Sequence, residues 1–300
     1  MTPRPSTLSH PWYDRAMDVS APSIAILGCG TMGEAIVAGL VHASPDAATR
    51  IIATSRRAAR REDLAARLKV RVSDDNLSAA AQADVILLCL KPKGVLQLLA
   101  HEGFRAQVTG KVLVSIAAGV SLGQLRARCP EAACVRAMPN TPCTTGYGMT
   151  VLARAPEVSD AQLAVVSSIF EAVGRCIELD DAQMDAVTAL NGSGPAFVYV
   201  MIEALTDGGV MMGLPRDRAL QIAASVFAGA AGMVLQSGDH PAALKDDVTT
   251  PAGCTIAGLL TMEDGRIRSV LARTIQEATN VASRLGGVAA EADDEVSPAS

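Results

Sequence analysis

A chain of 300 residues with 49% apolar and 19% charged side chains is apolar enough to fold and too long for one ordinary core, so two domains are expected. Its formal charge is −5 and it carries no basic stripe, which argues against a nucleic-acid grip. The 7 cysteines form no CxxC pair and mostly sit in apolar runs, the pattern of reduced, buried thiols in the cytoplasm, while the 4 scattered histidines offer no metal-ligand spacing.

Residues 1–21 lack the apolar middle of a signal peptide and read as a loose tail. From Ser23 to about Leu179, short apolar runs alternate with amphipathic ones. "SIAIL", "RIIAT", "DVILLCL", "KVLVSIA" and "ACVRAM" read as strands buried on both faces, with helical stretches such as Glu62–Lys69 and Leu122–Arg128 between them. That alternation predicts an α/β fold, a doubly wound parallel sheet over residues 22–179 with right-handed crossovers.

After about Asp180 the strand pattern ends, and residues 180–286 read as an all-α domain with helices at Gly194–Met212, Pro215–Gln236, Gly253–Met262 and Ile267–Leu285. The stretch Leu220–Leu235 is apolar almost all round and must be covered on every side. Either the helices of one chain cover one another, or a second copy does so in an obligate homodimer, which is the expectation here. Uninterrupted apolar runs fall short of a membrane span. From Gly287 the acidic end, residues 287–300, reads as unstructured.

Within the first domain, "IAILGCGTMGEAIVAGL" places Gly28, Gly30 and Gly33 between a strand and a helix, in the spacing of a dinucleotide site. Gly28 permits the tight turn, Gly30 lets a pyrophosphate approach the backbone, and Gly33 lets the helix pack on the strand. Cys29, Thr31 and Met32 complete that loop and the helix N-terminus that faces the anion. The second strand ends in Ser55, Arg56 and Arg57, with no acid before Glu62. A carboxylate there would bind a ribose 2′-OH, whereas a hydroxyl beside guanidinium groups suits a 2′-phosphate. NADPH is therefore the expected cofactor, NADH remains possible, and Arg60 and Arg61 read equally well as a solvated helix start.

Three further turns fall at the same predicted sheet edge: Leu90, Lys91 and Pro92; Ala117–Gly119, where Ala118 is small enough for a ring to lie against; and "MPNTP" from Met138. In the second domain, "DDVTTPAGCTIAGLL" has no charged side chain after Asp247. Thr250 reads as an N-cap and Pro251 as the first helical residue, so the amides of Ala252, Gly253 and Cys254 form a seat for a small carboxylate. Thr255 adds one hydroxyl. Ketone reduction calls for a proton donor, whereas a protonated imine already carries its proton and needs positioning and a hydride. The same segment also reads as a helix start and nothing more.

Taken in order, "ILGCGTMGEAI", "LCLKP", "SIAAGV", "RAMPNTP", "NGSGPAF" and "LKDDVTTPAGCTIAGL" resemble pyrroline-5-carboxylate reductase over about Ser23 to Leu285. The resemblance implies an N-terminal Rossmann domain, a C-terminal helical domain interlocked in a homodimer and often assembled further into a decamer, and NAD(P)H-dependent reduction of 1-pyrroline-5-carboxylate to L-proline. It implies that Gly28 to Gly33 hold the pyrophosphate, Ser55 approaches the 2′-phosphate, and Asn76 and Leu90 to Pro92 touch the ribose and the nicotinamide side. Thr250 and the amides after Pro251 would hold the substrate carboxylate, and Thr255 would hydrogen-bond the ring nitrogen. Asp239 and His240 would lie near the substrate mouth. Ala252 stands where the family usually has glycine, Cys254 where it has Ala or Thr, Asn191 where it has Gly or Ser, and Asp247 where it is often neutral. Crowding by the Ala252 methyl predicts weaker substrate binding. The rival readings are a β-hydroxyacid dehydrogenase or imine reductase and an NADPH-binding sensor. The hydroxyacid type would place a lysine in "NGSGPAFVYVMIEALTDGG", which has none, and the sensor has no use for a substrate seat.

Overall fold

The structure is a computed structural model that describes residues 22–294, with side chains as far as Leu285. The expected tail at residues 1–21 and the last six residues, 295–300, lie outside the described part. Backbone contacts divide the chain into two units, residues 193–278 and the remainder.

In the larger unit the chain runs β1 (Ile24–Leu27), α1 (Thr31–Ala43), β2 (Ile51–Thr54), α2 (Ala58–Leu68), β3 (Arg71–Ser73), α3 (Asn76–Ala81), β4 (Val85–Leu88), α4 (Pro92–Ala100), α5 (Glu102–Val108), β5 (Val112–Ser115), α6 (Leu122–Arg128), β6 (Ala133–Pro139), β7 (Gly148–Arg154), α7 (Asp160–Glu171), β8 (Gly174–Glu178) and α8 (Met184–Val187). The eight strands form one sheet in the order β3-β2-β1-β4-β5-β6-β7-β8, parallel except at the β6–β7 pair. Every residue of β1, β2, β4, β5 and β6 is buried. Helices on both faces require such strands, and burial of side chains such as Leu87 and Phe104 contributes about 1.5–3 kcal/mol each.

Three strands escape the apolar-run pattern. β3 is a three-residue edge strand, half-exposed and opened by an arginine, and β8 is an exposed edge at the other end. β7 runs against its neighbour and so breaks the alternation that marks the others. Inside β6, Arg136 is only 4% exposed, pairing with Asp181 at 3.1 Å and Asp185 at 3.5 Å. A buried guanidinium is tolerated only with such partners.

The smaller unit holds α9 (Gly194–Met211), α10 (Arg216–Ser237), α11 (Pro241–Asp247), α12 (Cys254–Asp264) and the start of α13 (Ile267–Asp294). α13 continues past Leu285 into residues read as unstructured, because Ala and Glu after Gly287 are good helix formers. α10 is 22 residues long and contains an 18-residue stretch with a mean hydropathy of 1.5, enough by length and composition to cross a membrane. Counting uninterrupted runs misses this, since Gln221 and Ser225 interrupt the stretch. Only Ala219 and Ala223 of α10 are buried, while Leu220, Ile222, Val226, Met233 and Leu235 are all at least half exposed. Among the described residues, the helices of one chain leave this face uncovered.

Candidate active site

Carboxyl ends of the parallel strands bring one group of expected residues together. β1 leads into Gly28, whose φ of +81° is left-handed, and a Cβ there would lie 2.3 Å from Leu90 Cδ2 at the end of β4. Neither the backbone nor the space admits a side chain. Gly30 is the N-cap of α1, and a Cβ there would meet nothing nearer than 4.0 Å, which leaves its face open. At Gly33 a Cβ would press to 3.1 Å from Ile26 Cγ2, so this glycine sets the approach of helix to strand. The Glu34 N–H donates to Gly30 O at 2.9 Å and closes the first turn. The amides of Thr31, Met32 and Gly33 have no intrahelical acceptor and lie at the positive end of the helix. Cys29 is buried beneath the loop, and burial pushes its thiol up to about 12, so it is inert packing.

Thr54, which sequence reasoning passed over as the last residue of a strand, organises this corner. Its buried hydroxyl accepts from the Gly28 N–H at 2.9 Å and donates to Asn76 Oδ1 at 2.6 Å. The glycine turn and Asn76 are thus tied. Ser55 is half-buried, and Arg56 and Arg57 are exposed with no carboxylate partner among the described residues. Arg60 and Arg61 are not a solvated helix start. Arg60 pairs with Glu34 and with Asp63 at 3.3 Å, and Arg61 donates to Ser55 O at 2.8 Å and pairs with Asp74 at 3.2 Å. Burial would raise the Glu34 carboxyl, but hydrogen bonds from Arg67 and Arg60 outweigh it and hold it below its ordinary value.

Lys91 is the exposed N-cap of α4 and Pro92 its first residue. A cation at that helix end opposes the dipole, which an anion alongside would offset. Beyond β5, Ala118 is half-buried before Gly119, whose φ is +78°. A 360 Å³ cleft lined by Arg105, Arg128 and Glu131 opens before β5 and β6, at the opposite edge of the sheet, and is not part of this crevice.

The second group lies in the helical unit, and there the turn differs from the expected one. Thr250 is not an N-cap and Pro251 is not helical. The Gly253 N–H donates to Thr250 O at 3.1 Å across Pro251 and Ala252, Ala252 has φ +56°, and Gly253 caps α12. Proline in second place and a positive φ in third is the pattern of a type II turn, which keeps the helix from starting before Cys254. The unpaired first-turn amides are therefore those of Cys254, Thr255 and Ile256, two residues later than expected. The arrangement foreseen at Thr250 occurs instead at α11, where His240 caps through Nδ1, accepting from the Ala242 N–H at 3.2 Å, with Pro241 in first place.

The methyl of Ala252 is exposed within its unit, so the visible cost lies in the backbone rather than in crowding. Ala252→Gly should stabilise the protein by about 0.5–1 kcal/mol. The denaturation midpoint would rise at constant m-value; a lower midpoint would show that the methyl makes a contact worth more than the strain.

Four threonines of this unit, Thr206, Thr249, Thr261 and Thr274, return their hydroxyls to the carbonyl four residues back. Thr255 has no helical carbonyl four residues back, and its half-buried hydroxyl has no hydrogen-bond partner among the described residues. Cys254 beside it is an exposed free thiol, unlike the buried Cys29, Cys129, Cys134 and Cys143.

A parallel sheet in Rossmann order, a glycine turn feeding a helix N-terminus and a separate helical unit with an uncharged amide-and-hydroxyl segment define a nicotinamide-dinucleotide oxidoreductase. Residues 23–119 match the family model of F420-dependent NADP oxidoreductases, and residues 181–285 that of the pyrroline-5-carboxylate reductase dimerisation domain. The pyrroline-5-carboxylate reductase of Synechocystis sp. is 42% identical over 263 residues, covering 88% of this chain and 98% of its own. That of Schizosaccharomyces pombe is 40% identical, covering 87% and 98%. Among solved structures, the pyrroline-5-carboxylate reductase of Coxiella burnetii superimposes with a TM-score of 0.83 at 30% identity, covering 88% of this chain and 98% of that one. The Plasmodium falciparum pyrroline carboxylate reductase with NADP bound gives 0.78 at 27%, with the same coverage. The chain belongs to the pyrroline-5-carboxylate reductase family.

Proposed function

We propose that this protein reduces 1-pyrroline-5-carboxylate to L-proline with NADPH, the last step of proline biosynthesis. The observation that carries the reading is the start of α12: three first-turn amides beside a threonine hydroxyl with no partner among the described residues, and no charged side chain from Val248 to Met262. Such a seat holds a carboxylate and positions an iminium but gives no strong acid, which suits a substrate that arrives already protonated.

Gly28, Gly30 and the amides of Thr31, Met32 and Gly33 hold the pyrophosphate, with Cys29 packed beneath. Ser55 and Arg56 take the 2′-phosphate, Asn76 the ribose, and Leu90, Lys91, Pro92 and Ala118 border the nicotinamide. When bound, NADPH supplies the hydride. Thr250 and the amides from Gly253 onward, now centred on Cys254 and Thr255, orient the substrate carboxylate, with Ala252 shaping the turn. Thr255 accepts the ring N–H and so fixes the C=N carbon in position. As that carbon gains its hydrogen, the double-bond electron pair settles on nitrogen, which keeps its proton.

The working form is a homodimer in the cytoplasm, with a decamer as the further assembly that the resemblance implies. The bare face of α10 supports it, because residues of that size are covered by a partner rather than left in water. The described cysteines are free thiols, in keeping with a reducing compartment.

The direct test follows NADPH absorbance after addition of 1-pyrroline-5-carboxylate. No oxidation above background from folded, dimeric protein rejects the activity. For cofactor choice, Arg56→Ala should weaken NADPH binding about tenfold and leave NADH within about twofold, because only the former carries the 2′-phosphate. An unchanged ratio of the two dissociation constants would leave Arg56 a surface residue.

A further inference from the structure

The β6–β7 ladder ends early, and side chains continue it. Pro139 pairs with Thr150, so the next partners in register are Asn140 and Met149. Their backbones do not complete that rung. The Met149 N–H donates instead to the side chain of Asn140, Oδ1, at 2.9 Å. Asn191, from the π-helical turn Thr188–Gly192, donates from Nδ2 to Met138 O on β6 at 2.7 Å and to Met149 O on β7 at 3.0 Å. Asn140 Nδ2 closes the ring on Asn191 Oδ1 at 2.9 Å. Two carboxamides thus wedge the strand ends apart and bridge both of them.

We infer that Asn191 is a positioning residue for the reaction proposed above, locking the loop after β6 through this carboxamide pair. That loop leaves β6 at the same sheet edge as Gly28, Leu90 and Ala118. The turn that carries Asn191 is π-helical, a geometry frequent at functional sites. It ends at Gly192, one residue before the helical unit begins. A second anchor on β6, Arg136 to Asp181 and Asp185, holds the beginning of the same segment, so the route from sheet to helices is pinned at both ends. Each donor of Asn191 meets a carbonyl and its acceptor meets an N–H. Neither glycine nor serine can make all three bonds.

The test compares wild type with Asn191→Ala, Asn191→Asp and Asn140→Ala/Asn191→Ala in steady-state assays and in NADPH binding by fluorescence. Asn191→Asp keeps the shape and turns a double donor into a carboxylate facing two carbonyls. Both single variants should lose at least tenfold in kcat/KM for 1-pyrroline-5-carboxylate while the NADPH dissociation constant stays within about twofold. The double variant should be no worse than Asn191→Ala, since members of one network are not additive. Hydrogen exchange at the Met149 amide should speed up in each variant. Equal losses for substrate and cofactor, a double variant clearly worse than Asn191→Ala, or variants as active as wild type overturn the inference and leave the proposed activity standing. A wild type with no turnover overturns that activity and this inference with it.

Discussion

Replacing Thr255 by alanine is expected to lower kcat/KM for 1-pyrroline-5-carboxylate by roughly one to two orders of magnitude and to leave NADPH affinity unchanged. One hydrogen bond to a charged group contributes about 1.5–3 kcal/mol, and each 1.36 kcal/mol is about tenfold in rate, so the expected loss is that of one bond. The helix itself should barely notice. Thr255 occupies the second position of α12, makes no bond back along the helix, and is replaced by the residue of highest helix propensity. The thermal midpoint should therefore stay put or rise slightly while activity falls. Thr255→Ser keeps the oxygen and should retain most of the activity. If alanine and serine fail equally, the methyl group matters rather than the hydroxyl; if NADPH binding falls in parallel, the residue serves the cofactor.

The sheet and its glycine turn were legible because they repeat a local pattern. Each of β1, β2, β4, β5 and β6 coincides with an apolar run, and the G-x-G-x-x-G spacing lies between the right elements. The turn at Thr250–Gly253 was misread because Thr-Pro also signals a helix start. Only the positive φ of Ala252 decides between the two, and no local pattern announces an alanine in that conformation. Thr54 and Asn191 show a different limit. Thr54 ends an apolar strand, and its value lies in a bond to Asn76, 22 residues away. Asn191 stood out only as a departure from a resemblance, since its carbonyl partner at Met138 lies 53 residues off. Side-chain bonds over such separations leave no trace in periodicity. The apolar face of α10 was legible for the opposite reason, as composition alone shows an unmet need for cover.

Gly28→Ala is expected to cost more than any other single change considered, and its cost can be divided. The left-handed backbone at φ +81° costs an alanine about 1–2 kcal/mol. The new Cβ would lie 2.3 Å from Leu90 Cδ2 and 2.9 Å from Leu90 Cγ, and overpacking of that kind costs about 1–3 kcal/mol more. A displaced Leu90 disturbs the residue that borders the proposed nicotinamide site, so NADPH affinity should fall at least tenfold along with the thermal midpoint. A second substitution separates the two parts. In Gly28→Ala/Leu90→Ala the steric conflict is gone and the backbone strain remains, so the double variant should be more stable than the sum of the singles predicts. The carbonyl of Cys89, 3.3 Å from the added carbon, remains and limits the recovery. Additive losses would mean that Leu90 never resisted the methyl group and that the conformation of the turn alone demands glycine. NADPH binding measured on the same four proteins then shows whether the cofactor follows the turn or the leucine.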